Sequence, residues 1–269
     1  MDRDIINLRD ISYIRERAVG LITLNRPQVL NAIRSSTWEE LTAVLREIKE
    51  DDSVRCVVIT GAGKSFSAGQ DLSEVNILLG EAVDYYSIRQ NIEKMQNITR
   101  EVLDLPKPVL GAVNGLAIGA GAEIAIACDI RYAAENAFFE FAEVKVGLFE
   151  TNGVTYLLPR LVGLGKAKEL MLTGERINAR EALHIGLVNK VYASDKLMEE
   201  AMATAEKIAE NAPVSVRMVK SSLNKSGEIS LDEAMVLEAD AVMTCCFTED
   251  VREGAAAFRE NRKPRFKGK

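Results

Sequence analysis

The sequence predicts an α/β fold, and three observations carry that expectation. Short apolar runs that end in glycine or proline alternate with helical periodicity through the first half of the chain. From about Lys196 onward the pattern is helical only. The 269 residues, with 47% hydrophobic content, supply enough apolar surface for one sizeable core with an appendage. The expected division is an α/β core over residues 1–195 and a helical region over residues 196–269.

In chain order, residues 18–27 (AVGLITLNRP) read as a short apolar strand ending at a proline. Ser36 and Glu39, three residues apart, form the pattern of a capping box, and Leu41, Val44, Leu45 and Ile48 then fall on one helical face. VRCVVITG is a fully buried strand closed by a glycine turn. Residues 75–105 read as a helix that stops at Pro106-Lys107-Pro108. VLGAVNG is a second buried strand, and GAGAEIAIAC a small-residue helix packed on both sides. Strands follow near residues 130–132 and 137–140, then a helix opened by Asn178-x-x-Glu181 and a strand in GLVNKVY. Ser230-x-x-Glu233 is another capping box, and the helices behind it present apolar faces suited to an oligomer surface. No internal repeat, low-complexity segment or Gly/Ser-rich linker interrupts the chain, so the helical region should pack on something.

Composition removes several function classes. A net charge of -6 is the wrong sign for a general nucleic-acid binder, which displaces counterions with a basic surface. The charged N-terminus MDRDIINLRDIS lacks the apolar region of a signal peptide, and Cys56, Cys128, Cys245 and Cys246 show no metal-binding spacing; reduced cytoplasmic thiols and no metal are expected. The single histidine, His184, lies where a helix runs into a strand and is expected to be structural, which disfavours a Ser-His-Asp hydrolase. Residues 110–128 are long enough to span a bilayer but contain four glycines, Asn114 and Glu123; a buried strand, turn and helix is expected instead.

Gly63-Lys64-Ser65 raises the question of a phosphate-binding loop. That motif needs a glycine five residues earlier, where this chain has Val58, and a helix opening at the lysine, where Phe66-Ser67-Ala68-Gly69 follows. The two glycine turns, SAGQDL and GLAIGAGAE, are better suited to an oxyanion hole: each follows a buried strand and exposes backbone N–H groups. The second turn matches only the start of a dinucleotide fingerprint, because the third glycine position is Ile124. Glu123 is the one charge between Val109 and Cys128, and its helix neighbours offer it no partner. It is either half of a buried salt bridge to a distant arginine or a catalytic acid or base with a raised pKa. Glu143, one of three glutamates in FFEFAEVKVGLFE, reads by itself as solvated surface.

These segments carry a resemblance to a known family. LNRPQVLNAI, SFSAGQDL, AVNGLAIGAGAEIAIACDIRYA and PRLVGLGKAKELMLTGERINAREALHIGLVNKVY are similar to the crotonase superfamily of acyl-CoA enzymes, and most of all to its enoyl-CoA hydratases, over nearly the whole chain. The resemblance implies a crotonase-like ββα spiral core with a C-terminal helical oligomerisation region. It implies Glu123 and Glu143 as the catalytic pair, the N–H groups of Gln70 and Ala120 as the oxyanion hole, and Arg26, Ala32, Ala68, Asp71, Leu72 and Gly119 around the CoA thioester. The implied reaction is syn addition of water to a trans-2-enoyl-CoA, giving a 3-hydroxyacyl-CoA with no metal or cofactor beyond the CoA of the substrate. The implied assembly is a homotrimer or dimer of trimers, with neither nucleic acid nor membrane as partner.

Departures from the family pattern keep alternatives open. Where hydratases turn through proline and glycine after the second glutamate, this chain has LFETNGVT. Isomerases of the superfamily place a carboxylate at the position of Thr151; the adjacent Glu150 is the alternative carboxylate here. Hydrolases, decarboxylases and ring hydratases share the scaffold, and residues 77–96 shape the acyl pocket. The tail AAFRENRKPRFKGK resembles one that reaches a neighbour's CoA, yet it also reads as a solvated tail. It has Asn261, with Arg262 beside it, where hydratases often have lysine. A non-catalytic CoA-binding or RNA-binding relative, and a Clp-type protease, are the readings of other classes. The acidic charge, both glutamates and the histidine's context disfavour them.

Overall fold

The computed structural model describes residues 3–74 and 84–269. Its strands are β1 (Arg3–Asn7), β2 (Ile11–Glu16), β3 (Val19–Leu24), β4 (Cys56–Gly61), β5 (Ser65–Ser67), β6 (Val109–Val113), β7 (Leu116–Ile118), β8 (Ile130–Ala134), β9 (Phe138–Glu140), β10 (Ile177–Asn178) and β11 (Lys190–Tyr192). The helices are α1 (Ser35–Glu50), α2 (Tyr85–Asp104), α3 (Ala120–Ala127), α4 (Val154–Val162), α5 (Leu164–Thr173), α6 (Ala179–His184), α7 (Leu197–Ala209), α8 (Pro213–Lys225), α9 (Leu231–Cys246) and α10 (Glu249–Arg259).

Two sheets organise these elements. The larger has the order β1-β2-β3-β4-β6-β8-β11, antiparallel through its first three strands and parallel from β3 to β11. The smaller has the order β10-β9-β7-β5. β4 leads into β5, β6 into β7 and β8 into β9, so each unit lays one strand in each sheet before its helix. This is the ββα repeat that the resemblance implies.

Burial explains why the parallel strands read as unbroken apolar runs. Every residue of β4 is buried, because both faces of the sheet are covered. Val57 and Ile59 join the main core with Trp38, Leu41 and Val44 of α1, whereas Cys56 and Val58 face Leu197, Ala201 and Ala205 of α7. The first helix beyond residue 195 is therefore packed on the sheet. Lys220 of α8 ties the next helix down: its Nζ donates to the carbonyls of Val102 (2.8 Å) and Lys107 (3.1 Å) and pairs with Asp129 at 2.8 Å. In contrast, no residue of α9 is buried.

Several expectations need adjustment. Helix α1 begins at Ser35 with Arg34 as its N-cap, and Ser36 is not the cap: its hydroxyl donates to Asp10 at 2.5 Å, while Thr37 Oγ1 accepts the Arg34 N–H at 3.2 Å. The helix expected over 75–105 is present from Tyr85 to Asp104, capped by the Asp84 carboxylate. Residues 75–83 of that expectation, and the start of the acyl-pocket segment 77–96, lie outside the described residues. Residues 110–128 form β6, β7 and α3; among the described residues no helix is long and apolar enough to cross a membrane. The basic tail folds back on its own chain: Arg262 pairs with Glu253, the N–H groups of Lys267 and Gly268 donate to Asp250, and Arg55 donates to the Phe266 carbonyl.

Candidate active site

The site is built where the two glycine turns meet. β5 delivers Ser67 to Ala68-Gly69-Gln70-Asp71, and β7 delivers Ile118 to Gly119 at the start of α3. The approach is so close that a Cβ on Gly69 would lie 2.6 Å from the Ile118 carbonyl oxygen and 3.5 Å from the Ala120 nitrogen; one on Gly121 would lie 2.6 Å from the Ser67 carbonyl oxygen. Glycine is required here for space, and at Gly69 and Gly119, with φ of 89° and 47°, for conformation as well.

The first turn is held so that its N–H points outward. Ile33 donates to the Gly69 carbonyl (2.8 Å) and accepts from Asp71 (2.7 Å), a parallel bridge that turns the N–H of the intervening Gln70 away from Ile33. The Gln70 side chain is fixed by Trp38 Nε1 at 3.2 Å. Ala120 is the first residue of α3, so its N–H has no acceptor within the helix. Among the described residues no acceptor takes the backbone N–H of either Gln70 or Ala120. Both are donors left unspent by the fold.

The other residues expected around the thioester surround this turn, but they do so as its frame. Arg26 Nη1 donates to the Ala32 carbonyl (2.6 Å) and to Asp71 (2.9 Å), and its Nε lies 3.7 Å from Asp10. Its guanidinium is thus engaged by the protein's own oxygens. The Ala68 N–H donates to Leu30, and Leu72 stands at the rim, 65% exposed. The Gly-Lys-Ser turn closes in the opposite sense to a phosphate cradle. The amides of Asn31 and Asn114 collect the carbonyls of Gly61, Ala62, Gly63 and Ser65 at 2.8 to 3.2 Å, whereas a P-loop turns N–H groups inward.

Three carboxyls lie beside the donors. Glu123, three residues after Ala120 on α3, is 1% exposed. It is not left without a partner and has no arginine: Thr151 donates from its N–H (2.8 Å) and hydroxyl (3.2 Å), and Asn152 Nδ2 donates at 2.6 Å. Burial raises its pKa and the Glu143 charge adds to the rise, against these hydrogen bonds, so the net direction is upward. Glu143 opens a 3-10 turn, Glu143–Val146, with its Oε1 inside van der Waals contact of where a Gly119 Cβ would stand. Its Oε2 is buried with no partner. Glu150 is 5% exposed, with neither oxygen partnered. Ligand-type oxygens from the three carboxyls all lie within 4.8 Å of one another, with no histidine or cysteine among them. Burial, then Glu143 and Glu123, push the Glu150 carboxyl up to about 10.

The third glutamate of the segment, Glu140, is elsewhere, paired with Lys145 (3.0 Å) and Arg176 (2.8 Å). His184 is exposed at the end of α6. Thr151 and Asn152, which hold Glu123, were not anticipated as site residues. Asn152 at φ 48° followed by Gly153 at φ 76° marks a tight turn that LFETNG hints at, but nothing local indicates what the turn binds.

Comparison with known proteins agrees with this geometry. A family model described as enoyl-CoA hydratase/isomerase matches residues 15–269. The chain is 42% identical over 259 residues to a short-chain-enoyl-CoA hydratase of Clostridium acetobutylicum, covering 96% of this chain and 97% of that one. It is 39% identical to a crotonyl-CoA hydratase of Syntrophomonas wolfei, covering 94% and 95%. Among solved structures, an enoyl-CoA hydratase from Bacillus anthracis superposes with a TM-score of 0.92 at 37% identity, covering 97% of this chain and 100% of that one.

Proposed function

This chain belongs to the enoyl-CoA hydratase/isomerase family, and from that premise we propose that it adds water to a trans-2-enoyl-CoA to give the 3-hydroxyacyl-CoA. The observation that carries the reading is the placement of Glu123 and Glu143 beside two backbone N–H groups that no protein acceptor takes. With the thioester oxygen on the Gln70 and Ala120 N–H groups, negative charge building there is met by fixed donors, each worth about 3 kcal/mol in such sites. Glu123 then orients the water and takes its proton as the oxygen bonds to Cβ. Glu143 delivers a proton to Cα. The step balances without a metal or redox cofactor: one water O–H bond and the Cα=Cβ π bond break, one C–O and one C–H bond form, and the proton Glu123 gains offsets the one Glu143 gives up.

A second reading, migration of the double bond from Cβ–Cγ, is favoured by one observation, the Glu150 carboxyl inside the cluster. Thr151, at the position where isomerases carry their carboxylate, is committed to Glu123 instead. Self-association through the C-terminal helices completes the proposal, as does a reducing compartment, which suits four free cysteines.

The test follows the ultraviolet absorbance of crotonyl-CoA. A fast fall in wild type, reduced about 10²–10⁴-fold in Glu123→Ala and in Glu143→Ala, is the expected result. Tight thioester binding with no fall, together with turnover of a 3-enoyl-CoA, would replace hydration by isomerisation.

A further inference from the structure

An acid that protonates Cα must hold a proton at neutral pH, where an ordinary carboxyl is ionised. In the hydratase reading that acid is Glu143, and the carboxyl beside it offers a way to keep the proton. Glu150 is 95% buried by its 5% exposure, and both its oxygens and Glu143 Oε2 lack a hydrogen-bond partner. Lys145, on the same turn as Glu143, is held by Glu140 together with Arg176. Glu123 differs from both, because Thr151 and Asn152 supply donors to its oxygens. Glu143, part-exposed, and the buried Glu150 bring oxygens within 4.8 Å of each other, and two charged carboxylates that close repel where burial excludes much of the water. A proton held between them relieves the repulsion and fills the open acceptor sites, as in other carboxyl dyads.

We propose that Glu143 and Glu150 share one proton, that Glu143 hands this proton to Cα, and that Glu150 is a positioning residue acting through Glu143. The proposal deepens the hydratase reading above and rests on it. In one turnover the water's O–H proton passes to Glu123 as oxygen bonds to Cβ. The shared proton leaves Glu143 for Cα, and the proton on Glu123 then returns to the Glu143–Glu150 pair, whose oxygens lie within 4.8 Å of its own. No proton is gained or lost over the cycle. The titratable groups that act on Glu150 are Glu143, from its 3-10 turn, and Glu123, from α3; both raise its hold on a proton, in line with its carboxyl being pushed up to about 10.

The experiment measures kcat and KM for crotonyl-CoA across pH in wild type, Glu150→Gln and Glu150→Asp, with the infrared band of protonated carboxyls recorded alongside. Glutamine fills the same space, stays neutral and can donate a hydrogen bond, but it cannot share or surrender a proton. Glu150→Gln should lower kcat at neutral pH by about tenfold or more with little change in KM. Its alkaline limb should move to lower pH, because no second carboxyl is left to share the proton. Glu150→Asp should recover part of the rate and of the limb. The wild-type protonated-carboxyl band at neutral pH should disappear in Glu150→Gln. A wild-type pH profile in Glu150→Gln overturns the proposal and makes Glu150 a neutral filler. Loss of activity on adding a chelator, restored by a divalent cation, overturns it in favour of a cation. A missing band in wild type overturns proton sharing whether or not crotonyl-CoA is hydrated. A band with no hydration of any enoyl-CoA removes the hydratase reading, and with it the delivery step, while leaving proton sharing in place.

Discussion

Glu123, Glu143 and Glu150 are the same residue type within a few ångströms, and their surroundings give them different work. Glu123 has the fullest set of donors, and each donor favours its charged form against the pull of burial and the Glu143 charge. Asn152 is the closest of these, at 2.6 Å. Asn152→Gly removes that donor while tolerating the left-handed backbone, φ 48°, that asparagine adopts there. The carboxyl of Glu123, already above its ordinary range, then rises further. In the proposed reaction it acts as a base, which requires it deprotonated, so the acid limb of kcat/KM should move to higher pH, with activity lost first on the acidic side. A pH–rate series on crotonyl-CoA checks this. An acid limb that stays in place would mean Thr151 alone sets the charge of Glu123.

At the scale of elements, the chain builds its site by pinning short pieces to one another. Asp10, in the turn between β1 and β2, is buried and accepts from Arg34 (2.5 and 2.8 Å), Ser36 (2.5 Å) and Thr37 (2.9 Å), joining that turn to the start of α1. Burial alone would raise its pKa, but the bonds from Arg34, Ser36 and Thr37 outweigh it and hold the carboxyl well below the usual range. Its folded pKa is depressed, so its stabilisation is present at neutral pH and is lost only as pH falls through that low value. Asp10→Ala leaves Arg34 without its buried partner and should cost about 3–5 kcal/mol, read as a lower thermal midpoint at neutral pH. An unchanged midpoint would show that water replaces the carboxylate without loss. Legibility in the sequence follows the same scale. β4, β6 and α1 announce themselves through long apolar runs or helical spacing, but β5 and β7 hold three residues each, too few for a period to show. Glu123 stands out because it interrupts an apolar run. Glu143 does not, because the acidic segment around it also contains Glu140, which the fold pairs with Lys145 and Arg176. The donors to Glu123 lie 28 and 29 residues away on a loop with no pattern of its own, so only the folded chain reveals them.

The whole molecule leaves one apolar element without cover. Helix α9 is capped at Ser230 by a reciprocal bond with Glu233, as its sequence predicts, yet none of its residues is buried. Met235 and Val242 recur seven residues apart on it, as do Val236 and Met243, and all four are exposed. Leu223 of α8, Phe247 after α9 and Phe258 of α10 extend the same apolar character; Phe247 is 82% exposed and Phe258 88%. A soluble chain seldom leaves so many large apolar side chains in water, and stripes at a seven-residue spacing suit a helix packed on another helix. Among the described residues, α8 and α10 touch α9 yet leave these side chains exposed, and the tail is already bound to Asp250 and Glu253. Another copy of the chain is the occupant that the proposed assembly supplies. Light scattering should therefore give a mass that is a multiple of the 29.6 kDa chain. Glutamate at both Met235 and Val242 should reduce it toward one chain, because two charges buried in an apolar contact cost more than the contact returns. The pair lies on the exposed helix, away from Glu123, Glu143 and Glu150, so the secondary structure seen by circular dichroism should persist. A wild-type mass of 29.6 kDa would refute self-association outright. An unchanged multimer in the double variant would move the contact to Leu223, Phe247 and Phe258.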